Sequence, residues 1–231
     1  VCIAKTNRKV YHMKVYPIYL NRLSEKKAVL IGGNHEAERK AGELLECDAN
    51  VTIISPALTE GLSRLVNENK LNWINRSYQK GDLAGVFLVI VAEYQDDEDQ
   101  RVYEEAEERG ILVNVMDDIP HCNFTFGSLL KRGALTISIS TSGAAPALAV
   151  RLRERFEKEF GEEYEQFLRF SRSLRKPMAR AYPSFQERKQ LWYKLVDSDI
   201  LALIRSNEHE LAYKKAAGIV GHEVVREALD S

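Results

Sequence analysis

Apolar residues along this chain fall into short runs, separated by stretches in which they recur every three or four positions. Residues 27–31 (K-A-V-L-I) form the first run, which ends at Gly32-Gly33. From Glu36 to Leu45, the residues Ala37, Ala41, Leu44 and Leu45 share one face of a 3.6-residue period, which predicts a helix. Residues 51–54 are a second strand-like run closed by Ser55-Pro56, and Leu58, Leu62 and Leu65 mark another helix. A third strand is predicted over residues 71–74. Residues 86–92 (V-F-L-V-I-V-A) are the most continuously apolar stretch, as expected of a parallel strand buried on both faces. A charged helix over residues 97–108 stops at Gly110, and residues 111–116 give the next strand. Strand and helix alternate throughout, so the pattern predicts an α/β fold with a parallel sheet and right-handed crossovers.

Beyond Asp117 the pattern changes. Residues 124–126 and 135–140 predict two strands, with Lys131-Arg132-Gly133 as the turn between them. From Ala145 the chain reads as helical to its end, interrupted at Pro177 and Pro183 and punctuated by Gly218 and Gly221. Four or five short helices are expected beyond about residue 150. The expected organisation is an α/β domain over residues 13–116, a small β-containing region over 117–150 and a helical domain over 151–231. Residues 1–12 lack a period, and His12-Met13 is a pair that a cloning junction leaves. They are read as an extension outside the fold.

Composition narrows the function classes. Among 231 residues, 33 basic and 34 acidic side chains nearly cancel, and 45% of the residues are hydrophobic. That balance argues for a packed core and against a general nucleic-acid coat. No apolar run approaches the roughly 20 residues that cross a bilayer, and no secretory leader pattern is evident. The three cysteines, Cys2, Cys47 and Cys122, are scattered and form neither a disulfide framework nor a zinc knuckle. A cytoplasmic protein without nucleic-acid or membrane partners is expected. His35, His209 and His222 show no metal-ligand spacing, so no resident metal is expected.

Candidate chemistry begins at Gly32-Gly33-Asn34-His35-Glu36-Ala37, between the first strand and the first helix. This is where a dinucleotide fold carries G-x-G-x-x-G/A. Gly32 makes the tight turn, Ala37 lets helix and strand approach, and the helix N-terminus offers N–H groups to a pyrophosphate. Asn34 replaces the middle glycine. Its side chain is expected to occupy pyrophosphate space, so Asn34→Gly is expected to tighten nucleotide binding. An ordinary strand-to-helix turn explains the glycines equally well. The acidic residue expected about 20 positions on is absent; Ser55 stands there and offers a hydroxyl to a ribose.

Several blocks in order carry a resemblance. They are Tyr16-Pro17-Ile18-Tyr19-Leu20, the glycine turn, Ala37-Glu38-Arg39-Lys40-Ala41, Asn114-Val115-Met116-Asp117-Asp118, Cys122-Asn123-Phe124-Thr125-Phe126, and the stretch from Leu135 to Pro146. Together they resemble the precorrin-2 dehydrogenase and sirohydrochlorin ferrochelatase family, the N-terminal half of sirohaem synthase. The resemblance implies a Rossmann domain, a dimerisation region, a C-terminal helical domain and a homodimer. It implies oxidation of precorrin-2 to sirohydrochlorin with NAD, and in some members insertion of Fe²⁺. The sequence ends at Ser231 without a methyltransferase module, so that third activity of the fused enzyme is not expected. Matched positions place cofactor contacts at His35, Glu36, Pro56 and Ala57, and the turn and strand ends add Gly32, Gly33, Asn34, Ser55 and Ala92 as candidates. They place the acid/base at Asp117, with Asp118 its near neighbour, and substrate contacts at Asn114, Ser142 and Gly143. Glu93, in Ala92-Glu93-Tyr94-Gln95, departs from the family pattern and adds negative charge near the pyrophosphate.

The implied substrate bears eight carboxylates and calls for cations. Arg169, Arg172, Arg175, Lys176 and Arg180 recur at helical spacing, and guanidinium forks suit carboxylates. Arg172 and Arg175 are therefore candidate substrate contacts; a solvated helix face is the alternative. Two rival functions stay open: a ferrochelatase, alone or alongside oxidation, and a non-catalytic tetrapyrrole binder.

Overall fold

A computed structural model describes residues 14–93 and 96–230. The extension at residues 1–12 and the pair Tyr94-Gln95 lie outside the described residues. The chain divides into two compact units, with the boundary between Phe126 and Gly127.

The first unit is a five-stranded parallel sheet. Its strands are β1 (Lys27–Ile31), β2 (Asn50–Ile54), β3 (Asn72–Ile74), β4 (Leu88–Val91) and β5 (Leu112–Val115), in the order β3-β2-β1-β4-β5. The helices are α1 (His35–Leu45), α2 (Glu60–Asn67) and α3 (Asp96–Arg109). Successive side chains of a strand point to opposite faces, which splits the core in two. Ala28, Leu30, Ile53 and Ile90 pack with Ala37, Ala41 and Leu62 on one side. Val29, Ile31, Val89 and Val91 pack with Val102 and Ala106 on the other. Ala37 and Ala41 are fully buried, so α1 lies close on the sheet because its contact face is small. The predicted parallel sheet is present, and strand and helix alternate as expected except between β3 and β4, which an irregular connection joins without a helix. The strand order reverses at β1, between β2 and β4, and ligands of open α/β sheets bind at such a switch point.

The connection from β3 to β4 is tied down by Glu105 of α3. Its fully buried carboxylate accepts hydrogen bonds from the Tyr78 hydroxyl, from the Gly81 backbone N–H at 2.8 Å and from Arg109 Nε at 2.8 Å. A buried carboxylate is tolerable because three donors surround it.

The second unit opens with a hairpin of β6 (Ser128–Arg132) and β7 (Leu135–Ile139), joined by Gly133-Ala134. This corrects the expected strand at residues 124–126 and the expected turn at Lys131-Arg132-Gly133. Phe124 and Phe126 belong to the α/β unit instead. Their rings meet edge to face at 5.0 Å, and Lys40 Nζ of α1 sits 3.7 Å from the Phe126 ring centre. Aromatic packing, not sheet pairing, satisfies those two rings. Arg132 pairs across the ladder with Leu135, which leaves only two residues for the turn.

Six helices follow among the described residues: α4 (Pro146–Glu159), α5 (Glu162–Ala181), α6 (Phe185–Val196), α7 (Ile200–Arg205), α8 (His209–Val220) and α9 (His222–Leu229). Pro177 does not break the chain as expected; it lies inside the 20-residue α5. An interior proline costs about 3 kcal/mol. Here Leu174 and Met178 flank it at zero exposure within a cluster that includes Ile200, Ala216 and Val220, so burial holds the helix through the lost hydrogen bond. Pro183 does separate α5 from α6, and Gly221 at φ +92° separates α8 from α9. Gly218 continues inside α8. Leu174→Ala should lower unfolding stability by about 2–5 kcal/mol, read from urea denaturation, because its cavity is enclosed by helices.

Candidate functional site

Two glycines set the geometry at the carboxyl edge of β1. Gly32 has φ +103°, and a Cβ there would lie 2.8 Å from the Glu93 Cβ. A Cβ on Gly33 would come within 1.8 Å of the Ala57 carbonyl oxygen. The turn therefore passes directly over the loop that leaves β2. That loop is braced from within: Ser55 Oγ donates to the Ala57 carbonyl at 2.7 Å, Trp73 Nε1 donates to the Ser55 carbonyl at 2.9 Å, and the Thr59 N–H donates to the Gly33 carbonyl at 3.1 Å. Between turn and loop lies a cleft of 280 Å³ lined by Gly32, Gly33, Asn34, Ile54 and residues 55–59, with Ser77, Glu93 and Glu98.

Asn34 plays a different part from the one expected of it. Its φ is −84°, so the left-handed position belongs to Gly32. Its Oδ1 accepts from the backbone N–H groups of Glu36 at 3.0 Å and Ala37 at 2.9 Å, and its Nδ2 donates to the Ala92 carbonyl at 2.9 Å. The amide is the N-cap of α1 and a tie to the end of β4. Two N–H groups expected to meet a pyrophosphate are thus already bonded, including that of Glu36. Ser55 lines the cleft but is buried, and its hydroxyl donates to the Ala57 carbonyl. Pro56, Ala57 and His35 are exposed, and Ala92 is buried as an anchor for Asn34.

At the end of β5, five residues divide into supports and one free group. The Asn114 side chain is buried and donates to the Phe124 carbonyl at 3.0 Å. The Cys122 thiol lies against the Val115 N–H at 3.3 Å and the Val115 and Asp118 carbonyls at 3.2 Å; burial pushes its pKa up, so it staples the loop as a neutral thiol. Asp118 bonds His121 Nδ1, and the His121 ring meets Tyr103 edge to face at 5.0 Å. Asp117 is exposed, adopts φ +61°, and has no side-chain partner among the described residues. A non-glycine residue in this region is uncommon, and such conformations cluster at functional sites.

In the second unit, α5 buries Phe167, Phe170, Leu174 and Met178 and turns Arg169, Arg172, Arg175, Lys176 and Arg180 outward. Arg180 is paired with Glu227 of α9, which removes it from any anion-binding group. Arg169 and Arg172 line a second cleft, of 370 Å³, with Gly133, Ala134, Glu165 and Leu168. Arg175 is exposed beside them on the helix. Ser142 and Gly143, both at positive φ, form the turn that enters α4, and the Ser142 N–H donates to Ser140 Oγ at 3.1 Å.

Sequence reasoning missed Glu98. The helix over residues 97–108 reads as a solvated charged face, yet Glu98, Asp99 and Glu105 are all buried. A signal existed: Glu98 and Ala106 stand four residues either side of the buried Val102, on one face.

Three family models match in succession: "Putative NAD(P)-binding" over residues 19–128, "Sirohaem biosynthesis protein central" over 132–159 and "Sirohaem synthase dimerisation region" over 163–217. The siroheme synthase of Pseudoalteromonas translucida is 32% identical over 200 residues. Over most of its own length the chain is similar in sequence to the sirohaem synthases. Siroheme synthase 1 of Aeromonas salmonicida is 34% identical over 198 residues. These alignments cover 87% and 85% of this chain and 42% of each relative, so the chain spans about two-fifths of the length of the curated sirohaem synthases it matches. A solved structure, "SirC, precorrin-2 dehydrogenase", superimposes with a TM-score of 0.73 at 22% identity, covering 94% of this chain and all of that one; it establishes a shared fold.

Because Asn34 caps α1 and anchors β4, Asn34→Ala should reduce stability by about 1 kcal/mol, seen as a lower urea midpoint. A midpoint equal to wild type would mean that the cap carries no weight.

Proposed function

We propose that this chain oxidises precorrin-2 to sirohydrochlorin with NAD, as a cytoplasmic homodimer. The observation that carries this reading is the pairing, on one carboxyl edge of one sheet, of a glycine-built cleft at β1 and a free carboxylate just past β5. The names of the sirohaem synthase relatives and of the precorrin-2 dehydrogenase neighbour support the choice of substrate. The dimerisation-region match supports the assembly.

The cleft fits a dinucleotide. Its glycines bring bare backbone to the switch point, and Pro56 and Ala57 are open to it. No lysine or arginine lines it among the described residues, whereas Glu93 and Glu98 do. A ribose 2′-phosphate would meet two carboxylates and no cation, which favours NAD over NADP. Gly32, Gly33, Pro56 and Ala57 would hold the cofactor, with His35 at the start of α1. NAD, when bound, supplies the hydride acceptor. Ring dehydrogenation also releases a proton, and Asp117, unencumbered by an ion pair, is the group that takes it. Asp118 and His121 are bonded to each other and act as a support for the loop. On α5, Arg172 and Arg175 offer guanidinium groups to the carboxylate arms of the substrate.

Asp117→Asn keeps a residue type that tolerates the left-handed backbone while removing the base. Turnover of precorrin-2, followed anaerobically by absorbance, should fall by about 10²–10⁴-fold, with circular dichroism unchanged. Asp118→Asn should lose far less. Full activity in Asp117→Asn would end the acid/base assignment. Sirohaem formation from sirohydrochlorin and Fe²⁺, with no oxidation by wild type, would replace the dehydrogenase reading with metal insertion.

Arg172→Ala with Arg175→Ala should weaken tetrapyrrole binding and flatten its salt dependence. An unchanged dissociation constant across a salt series would return both arginines to the solvated face.

A further inference from the structure

The dinucleotide cleft contains a buried carboxylate that neither the family resemblance nor the reaction uses. Six polar side chains line the cleft. Three have internal partners: Asn34 with α1 and Ala92, Ser55 with Ala57, and Thr59 with Glu38 and the Leu62 N–H. Glu93 is exposed. Of the remaining two, Ser77 and Glu98, only Glu98 is ionisable, and its relative exposure is 9%. Burial pushes its pKa up, with Asp99 and Glu93 adding to the shift, against Arg101 and a backbone N–H from Tyr78 that favour the charged form. That one N–H, the hydrogen-bond donor to it among the described residues, does not saturate a carboxylate, which has about four lone-pair sites. A buried acceptor with spare capacity favours a ligand that brings donors.

The fold says which part of a dinucleotide arrives there. The cleft is built from the glycine turn after β1, the loop after β2 and Ser77 after β3; no residue of β5 lines it. In sheets of this kind the end of β2 meets the adenosine half of the cofactor. Phosphates have no N–H donors. The adenine ring does, at its exocyclic 6-amino group, and apolar Ile54, Pro56 and Leu58 line the same space for its faces.

We propose that Glu98 is the base-reading residue of the cleft, accepting a hydrogen bond from the 6-amino group of adenine. The inference rests on the dinucleotide reading of this cleft. It adds a recognition contact separate from the glycine turn. Glu105 keeps the position fixed from below, since it ties the segment bearing Ser77 and Tyr78 to α3.

The test compares NAD with nicotinamide hypoxanthine dinucleotide, in which a 6-oxo group replaces the amine, by calorimetric titration of the full chain. Wild type should bind NAD about tenfold more tightly, equivalent to 1.4 kcal/mol. Glu98→Gln presents an amide that can donate as well as accept, so the preference should vanish or reverse in favour of the 6-oxo dinucleotide. If wild type binds both equally, Glu98 does not read the amine, and no variant is needed to decide it. If Glu98→Gln weakens both dinucleotides by the same factor, the carboxylate holds a ribose hydroxyl or the loop, and the inference is overturned. If wild type binds neither dinucleotide, the cleft is not a nucleotide site, and the reading beneath the inference fails first.

Discussion

The architecture of the α/β unit turns on one steric requirement: the chain leaving β1 must cross the loop leaving β2 with no side chain between them. The Gly33 backbone and the Ala57 carbonyl approach so closely that any Cβ would collide. This contact sets how far the β2 loop can open, and Ser55, Trp73 and Thr59 lock the loop in that position. The cleft is what remains between the two crossing segments. Its floor is therefore close-packed backbone, which suits the proposed cofactor site.

The charge pattern follows a division of labour between the two units. In the α/β unit, carboxylates are gathered on α3 and supported by tyrosine, backbone and arginine donors. In the helical unit, α5 presents guanidinium groups on one side and a continuous apolar stripe on the other. Near-neutral overall composition hides both features. The average charge of this chain says little about the chemistry of either cleft.

Much of the fold was legible in the sequence because burial on both faces of a parallel sheet leaves continuous apolar runs. β1, β2 and β5 each fall within a residue of their predicted spans, and β4 within two. The misreadings share a cause, which is tertiary contact overriding a local rule. Phe124 and Phe126 have strand-like composition but pack on each other, with Lys40 over the Phe126 ring, and Pro177 sits in a helix that burial sustains. At the site, the glycine turn was readable from its motif. The role of Asn34 was not, because a substituted glycine reads as an obstruction until its amide is seen bonded to Ala92. The resemblance had singled out Asp117 over Asp118, but the bond between Asp118 and His121 became visible only in the fold.

The left-handed backbone at Asp117 also reshapes what counts as a mild replacement there. Exchange for glutamate preserves charge and acidity, yet a longer side chain without the short polar reach of Asp or Asn is poorly suited to φ near +60°. Asparagine and glycine suit the backbone and abolish the acid. Side-chain chemistry and main-chain conformation thus pull in opposite directions across the neighbouring amino acids, and aspartate is where the two demands meet. Substitution scores based on charge alone will misjudge this position, rating the glutamate exchange mildest although it fits the turn less well than asparagine.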